Sequence, residues 1–215
     1  MRRLSLGIAA VLACAAPLPP AEGWRIIGPG GGGSLFHPTL SPHDSRTALV
    51  ACDMTGAYLT HDGGATWRIF NLGDPVQFFV FDPIDANVIY AKAGGVFRSG
   101  DAGATWQRFF PRDVQSITMG DDHAAGLLHT TGQPSGEVTA MAIDPADSGA
   151  HYLAVGGALW TSNDRGATWQ KAADLPGRVR QIWIDPRSLR GDPTLYAAGP
   201  DALYIRRQEI GRAHV

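Results

Sequence analysis

One eight-residue segment occurs three times along this chain, and any fold proposed for the chain must accommodate that repetition. The three copies occupy residues 60–67, 99–106 and 162–169, and each ends in tryptophan. All fit the pattern (S/T)-x-D-x-G-A-T-W, and we call them box 1, box 2 and box 3. Self-similarity at a spacing of tens of residues indicates a repeat architecture in which each unit is one supersecondary element.

The sequence around each box repeats as well. Three short apolar strands precede every box, with a turn rich in Asp and Pro after the first strand and a second turn, usually Gly-Gly, after the next. A short fourth strand follows the tryptophan. Four antiparallel strands per unit are typical of a propeller blade, and the 27 Gly and 15 Pro among 215 residues suit a turn-rich all-β chain.

We therefore predict an all-β β-propeller of four-stranded antiparallel blades, with three blades and part of a fourth. The blades are expected at about 35–70, 77–110, 138–172 and 179–208, and the last unit breaks off before its box. An insertion at 111–137 separates the second and third units. Residues 24–208 then form one partial propeller.

Both ends of the chain are set apart from the fold. Residues 1–23 predict an export signal, because Arg2 and Arg3 precede an apolar run at 4–16 that is too short to span a bilayer. The protein is thus expected to be exported to the periplasm or the extracellular space. Residues 209–215 resemble a translated sequencing adapter and are treated as an artefact, so the natural chain is expected to be longer.

Charge and motif spacing exclude several classes of partner. The 18 Lys and Arg residues against 20 Asp and Glu give a net charge of −2, which argues against nucleic-acid binding. The glycine run at 28–33 is not followed by a helix pattern, so a phosphate cradle is not expected. No metal-ligand spacing typical of zinc or calcium sites is present. We expect no cofactor, no metal and no membrane contact beyond the signal.

The boxes resemble the Asp box, also called the bacterial neuraminidase repeat. In such a turn the Asp carboxylate can accept backbone N–H bonds, the central Gly permits a positive φ, and the Trp packs between sheets. A residue repeated in every unit is expected to serve the fold rather than catalysis. The predicted structural residues are Asp62, Gly64, Trp67, Asp101, Gly103, Trp106, Asp164, Gly166 and Trp169.

The geometry of an up-and-down blade separates two faces of the propeller. The boxes share one face with the Asp-Pro turns, and the turn between the second and third strands lies on the other face. Long loops on a rigid scaffold are where binding usually occurs. On that second face Asp53 stands where the next two blades have Gly-Gly, so it is a candidate general acid or base. The alternative, slightly favoured by the repeat alone, is a turn Asp that caps its own backbone.

A second resemblance bears on Asp53. The glycines at 30–33, then Phe36-His37-Pro38, then residues 52–58 are similar to the start of glycoside hydrolase family 74, the xyloglucanases. That family has Asp-Val-Gly-Gly-Ala-Tyr in the turn, whereas Met-Thr replaces Val-Gly here. The resemblance implies that Asp53 is a catalytic carboxylate and that Tyr58 contacts substrate. The family's partner carboxylate lies far downstream, so this chain alone is expected to be inactive.

The insertion supplies further candidates for substrate binding, Asp121, Asp122 and His123, although a solvated loop is the alternative interpretation. Sialidases also contain Asp boxes, and their first arginine lies in an Arg-Ile-Pro motif. Only Trp24-Arg25-Ile26-Ile27 approaches that motif, and it lacks the proline. Ile26 and Ile27 are better interpreted as an edge strand that closes the ring with the last blade.

Two functions remain open from the sequence. The first is a secreted, glycan-active glycoside hydrolase of xyloglucanase or sialidase type, acting on a carbohydrate substrate through Asp53 and a partner acid. The second is a non-catalytic propeller that serves as a binding or assembly platform. Sortilin-type receptors and photosystem assembly factors use similar boxes in this second way. A fold by itself does not decide between them, because function depends on the site.

Overall fold

The structure is a computed structural model that describes residues 23–30, 33–54, 56–118, 127–130, 132–188, 191 and 193–207. Seventeen β-strands and no helix occur in these ranges, which confirms the predicted all-β class. Accordingly, this described part has no helix that could cross a membrane. All strand pairs are antiparallel.

Most of the strands form four sheets, each a propeller blade. Blade 1 contains β1 (Leu35–Leu40), β2 (Ala48–Cys52), β3 (Gly56–Thr60) and β4 (Arg68–Asn71), and blade 2 contains β5 (Phe78–Phe81), β6 (Ile89–Lys92), β7 (Val96–Ser99) and β8 (Gln107–Phe110). A hairpin of β9 (Val114–Thr118) and β10 (Leu127–Thr130) follows. Blade 3 contains β11 (Val138–Asp144), β12 (Asp147–Val155), β13 (Ala158–Ser162) and β14 (Gln170–Asp174), and blade 4 contains β15 (Gln181–Ile184), β16 (Leu195–Ala198) and β17 (Leu203–Arg206). Within every blade the strands hydrogen-bond in chain order, as the up-and-down prediction requires.

The core is divided among the gaps between successive blades. One cluster of buried side chains, including Leu49 and Ile89, fills the gap between blades 1 and 2. A second cluster with Tyr90 and Leu153 joins blades 2 and 3, and a third with Ile182 joins blades 3 and 4. Because middle strands contact a neighbour on each face, they carry nearly continuous apolar runs instead of alternating ones.

The first strands of all four blades line a central channel with a volume of about 1250 Å³. Its wall includes Thr39 of β1, Phe79 of β5, Met141 of β11 and Ile182 of β15. This arrangement matches a propeller, in which the innermost strand of each blade faces the axis. Every strand turn therefore lies at one end of the channel or the other.

The described part of the insertion between blades 2 and 3 is a β-hairpin, which the repeat pattern does not predict. Strands β9 and β10 pair with Leu128 opposite Ile117 and His129 opposite Ser116. The Leu128 side chain also reaches the turn of blade 2, where a Cβ on Gly95 would lie 3.1 Å from it. A short hairpin of alternating apolar and polar residues is only marginally stable by itself, and packing against a blade can stabilise it.

Boxes 2 and 3 pack against the outer strand of the preceding blade. The ring of Trp106 in box 2 stacks on Phe70 of β4, with centroids 4.9 Å apart and an interplanar angle of 14°. The ring of Trp169 in box 3 meets Phe110 of β8 edge-on at 5.9 Å. In box 1 the indole Nε1 of Trp67 donates a hydrogen bond of 2.6 Å to the carbonyl oxygen of Ile27. Ile27 thus has the same relation to box 1 that β4 and β8 have to the later boxes.

A histidine is enclosed between blades 2 and 3. His151 is 0% exposed, and its ring lies edge-on to Tyr90 and Phe109, with centroids 5.5 and 5.6 Å away. Burial removes the water that would stabilise an imidazolium, and it lowers the pKa of His151 to about 4, although the Asp82 carboxylate acts in the opposite direction. The folded protein therefore holds this histidine neutral.

This histidine should make the fold sensitive to mild acid. Between its folded pKa of about 4 and its ordinary value of 6.5, the unfolded chain binds a proton that the folded chain does not. Stability is then fully present above pH 6.5 and is lost as the pH falls toward 4. From this residue alone we expect the free energy of unfolding to be about 2 kcal/mol lower at pH 5 than at pH 7.

Urea unfolding at the two pH values measures the difference. His151→Phe keeps an aromatic ring in the cluster and should remove that part of the pH dependence, whereas His61→Gln, at an exposed histidine, should leave it in place. If the free energy of unfolding of His151→Phe still falls by the same amount between pH 7 and pH 5, other groups cause the acid sensitivity.

Candidate functional site

The three box aspartates form one repeated hydrogen-bond network. Asp62 Oδ1 accepts bonds from the Thr60 hydroxyl at 2.8 Å and the Thr66 backbone N–H at 2.9 Å, and its Oδ2 accepts the Thr66 hydroxyl at 2.6 Å. The same three bonds recur in box 2 at Asp101 and in box 3 at Asp164.

These bonds lower the pKa of each box aspartate to about 2, with the threonine hydroxyl as the largest cause. Such a carboxyl is ionised at neutral pH and has no proton to donate there. Its oxygens are also committed to the turn. The network explains why each box repeats its first Ser or Thr, its Asp and its later Thr, and it does so without any catalytic role.

The glycine of each box is required by the backbone and by close packing. Gly64, Gly103 and Gly166 have φ angles of +83°, +85° and +74°, in the left-handed region that favours glycine. A Cβ on Gly103 would lie 2.5 Å from Leu59 Cδ2 of blade 1, and one on Gly64 would lie 2.6 Å from the Ile27 carbonyl oxygen. The boxes thus hold neighbouring strands together at one end of the channel.

The opposite end of the channel, which we call the mouth, is formed where the chain enters each first strand. The Gln77 backbone N–H bonds to the Lys92 carbonyl at 2.7 Å, and the Arg180 N–H bonds to that of Ala198 at 2.7 Å. In blade 1 the corresponding bond joins the Asp53 N–H to the Ser34 carbonyl at 3.2 Å. Each of these bonds lies at the end of a blade that is opposite its box.

Asp53 lies at the mouth, directly after β2, and its side chain is half-buried. Its Oδ1 accepts a hydrogen bond of 3.3 Å from the Cys52 thiol. The glycine run reaches the same carboxylate, since a Cβ on Gly33 would lie 2.5 Å from Asp53 Oδ1 and Gly33 has a φ of +104°. Two motifs that are twenty residues apart in the sequence are thus brought into contact, with the glycine leaving room for the carboxylate.

Of the other substrate-binding candidates, the structure describes Tyr58. It is half-buried on β3, opposite Val50 and Ile69, and, like Asp53, it is not among the residues that line the channel. Asp121, Asp122 and His123 lie outside the described residues.

Several polar residues at the mouth are absent from the sequence-based candidates. Lys92 is the last residue of β6 and only 2% exposed, and its ammonium donates a hydrogen bond of 3.2 Å to Gln77 Oε1. Arg178 Nη2 forms an ion pair of 2.9 Å with Glu137 Oε1. Gln77, Glu137 and Arg178 all line the channel. The signal that could have found them is the one that found Asp53, a polar residue where the aligned blades differ.

Metal binding receives no support from the described ranges, in which no group of three His, Cys, Asp or Glu side chains is arranged to hold an ion.

Comparison with known proteins shows that this chain is similar in sequence to xyloglucanases. It is 29% identical over 179 residues to xyloglucanase Xgh74A of Acetivibrio thermocellus, covering 73% of this chain and 20% of the relative. It is 28% identical over 215 residues to a xyloglucanase of Hypocrea jecorina, covering 88% and 24%. No protein-family model matches the chain.

The fold comparison agrees with the sequence comparison. An ancestral GH74 enzyme superposes with a TM-score of 0.60 at 18% identity, over 85% of this chain and 24% of that one. The chain therefore has a glycoside hydrolase-like propeller fold. It spans only a fifth to a quarter of the length of the two xyloglucanases.

Proposed function

We propose that this chain is part of an exported glycoside hydrolase that cleaves a neutral plant-type glucan such as xyloglucan, with Asp53 as one carboxylate of its acid–base pair. The observation that carries the proposal is the contact of the Asp53 carboxylate with Gly33, at the end of blade 1 that lies opposite the boxes. The likeness to two xyloglucanases supports the same substrate class. The alternative interpretation of Asp53 as a simple turn cap does not explain the close approach of Gly33 to its carboxylate.

Hydrolysis of a glycosidic bond needs a second carboxyl group on the other side of that bond, about 5–10 Å from the first. We propose that a segment of the complete protein outside this chain supplies it. Glu137 is a weaker candidate, because its carboxylate is held by Arg178 at 2.9 Å. The proposal therefore assigns catalysis to the complete protein and only one of the two acids to this chain.

We further propose that the four blades belong to a larger ring, in which blade 4 is completed and then covered by another blade. Val80 of blade 2, opposite Tyr90 in the register, packs into the gap before blade 3. Trp183 of blade 4, opposite Tyr196 in the equivalent register, is 43% exposed. Leu203 and Ile205 on the same blade are also exposed. A further blade would bury this face in the way that blade 3 buries that of blade 2.

An assay of polysaccharide cleavage tests the proposed activity. The full-length protein is incubated with xyloglucan, with an unbranched β-glucan and with a sialylated glycan, and new reducing ends or free sialic acid are measured. We expect new reducing ends from xyloglucan. Release of sialic acid alone would overturn the substrate class. Binding of xyloglucan without cleavage would overturn the hydrolase and favour the non-catalytic platform.

A further inference from the structure

The mouth of the channel contains a buried lysine that the repeat does not require. Lys92 ends the second strand of blade 2, and the corresponding last residues in the other blades are Cys52, Val155 and Ala198. Small apolar residues thus suffice for packing at this position. A buried ammonium is costly to desolvate unless its donors are satisfied, so Lys92 requires an explanation other than packing.

The partners of Lys92 suggest that explanation. Its ammonium donates to Gln77 Oε1 at 3.2 Å and to the Ala93 backbone carbonyl. Among the described residues no carboxylate forms an ion pair with it. Burial lowers the pKa of Lys92 to about 8, while the carboxylates of Glu137 and Asp74 act in the opposite direction. The lysine is therefore a cation near neutral pH, and its ammonium contacts the side-chain amide of Gln77.

That contact fixes the orientation of the Gln77 amide. An ammonium group can only donate hydrogen bonds, so it must face the amide oxygen and cannot face the amide nitrogen. The NH₂ end of the amide is then directed away from Lys92. Because Gln77 lines the channel at its mouth, a donor group of fixed orientation is available where a ligand would enter.

We propose that Gln77 binds a hydroxyl group of a neutral saccharide through its amide N–H donors, and that Lys92 is the positioning residue that fixes this amide. The inference rests on the proposed glycan-active function and adds a specificity contact to it. Sugar hydroxyls accept hydrogen bonds from amide donors, and a site that presents a fixed donor discriminates among ligands through the group left unpaired.

The test compares Gln77→Leu, Lys92→Met and the double variant in the full-length protein, with xyloglucan as substrate and xyloglucan oligosaccharides as the binding probe. Loss of one hydrogen bond should raise KM and the dissociation constant about tenfold in Gln77→Leu, with kcat within about twofold. Lys92→Met should weaken binding by a similar factor, because the amide is no longer fixed. Gln107→Leu, an exposed glutamine outside the channel lining, should bind as the parent does.

The double variant separates positioning from a purely structural role. If Lys92 acts only through Gln77, the double variant binds no more weakly than Gln77→Leu. If the losses of affinity in the two single variants add up in the double variant, the assignment of Lys92 is overturned. An unchanged KM in Gln77→Leu would overturn the assignment of Gln77. Xyloglucan hydrolysis by the parent protein would still support the proposed function in that case. A parent protein that neither binds nor cleaves any of the glycans would overturn both.

Discussion

Replacing Asp53 by Asn should reduce the kcat for xyloglucan hydrolysis by about 10²–10⁴-fold in the full-length protein, which is the usual contribution of a general acid or base. The amide has nearly the shape of the carboxylate, so the Cys52 thiol and the space beside Gly33 remain as they are. An amide cannot take up or release the proton that the reaction transfers. Substrate binding should change little, since the loss concerns the transition state.

A matched control exists in blade 4. Asp201 is an exposed aspartate in the turn between β16 and β17, which is the turn of blade 4 that corresponds to the Asp53 turn of blade 1. Asp201→Asn should retain full activity. Initial rates with xyloglucan, together with oligosaccharide binding, measure both variants. If Asp53→Asn cleaves xyloglucan as fast as Asp201→Asn does, Asp53 is only a turn residue.

Replacing Gly166 by Ala should lower the free energy of unfolding by about 2–5 kcal/mol, the sum of a left-handed backbone penalty and overpacking of a filled site. The residue has a φ of +74°. A Cβ there would overlap the Phe109 ring, with Cε2 at 2.7 Å. That ring is 6% exposed and edge-on to Tyr90 and Trp169, so it has no room to move aside.

Gly157→Ala isolates the backbone part of this loss. Gly157 has a similar φ of +81°, but nothing lies within 4 Å of its Cβ position. Its replacement should therefore lower stability by about 1–2 kcal/mol only. Urea unfolding of both variants gives the comparison. Equal losses in the two would mean that Phe109 relaxes and that packing of the box against blade 2 is not tight.

The fold could be predicted because the box and its flanking strands occur several times in the sequence. A box such as 99–106 contains its own turn chemistry, since Ser99, Asp101 and Thr105 complete their hydrogen bonds within seven residues. Local interactions of this kind are visible without knowledge of the tertiary structure. The hairpin β9–β10 was missed because it occurs once, and its stability depends on blade 2 rather than on its own sequence.

The site could be predicted only in part, for the opposite reason. Asp53 is a candidate from the sequence because a single acid interrupts a repeated glycine turn. Lys92 was passed over because it ends an apolar strand, and its burial beside Gln77 depends on how two chain segments meet at the mouth. Contacts between segments with no repeated pattern have no local signature. Such positions become visible only when the blades are superposed on one another.

The dependence of box 1 on Ile27 has a consequence for how such a chain can be divided or extended. Each box is held by residues that precede its own sheet, Trp106 by Phe70 of an outer strand and Trp67 by Ile27, which lies outside the strands. The self-contained module is therefore offset from the sheet by one strand, and residues 68–106 form one such module. A deletion or duplication that starts at an outer strand and stops at a box tryptophan keeps every tryptophan with its partner. A deletion or duplication that follows the sheet boundaries separates each box tryptophan from its partner.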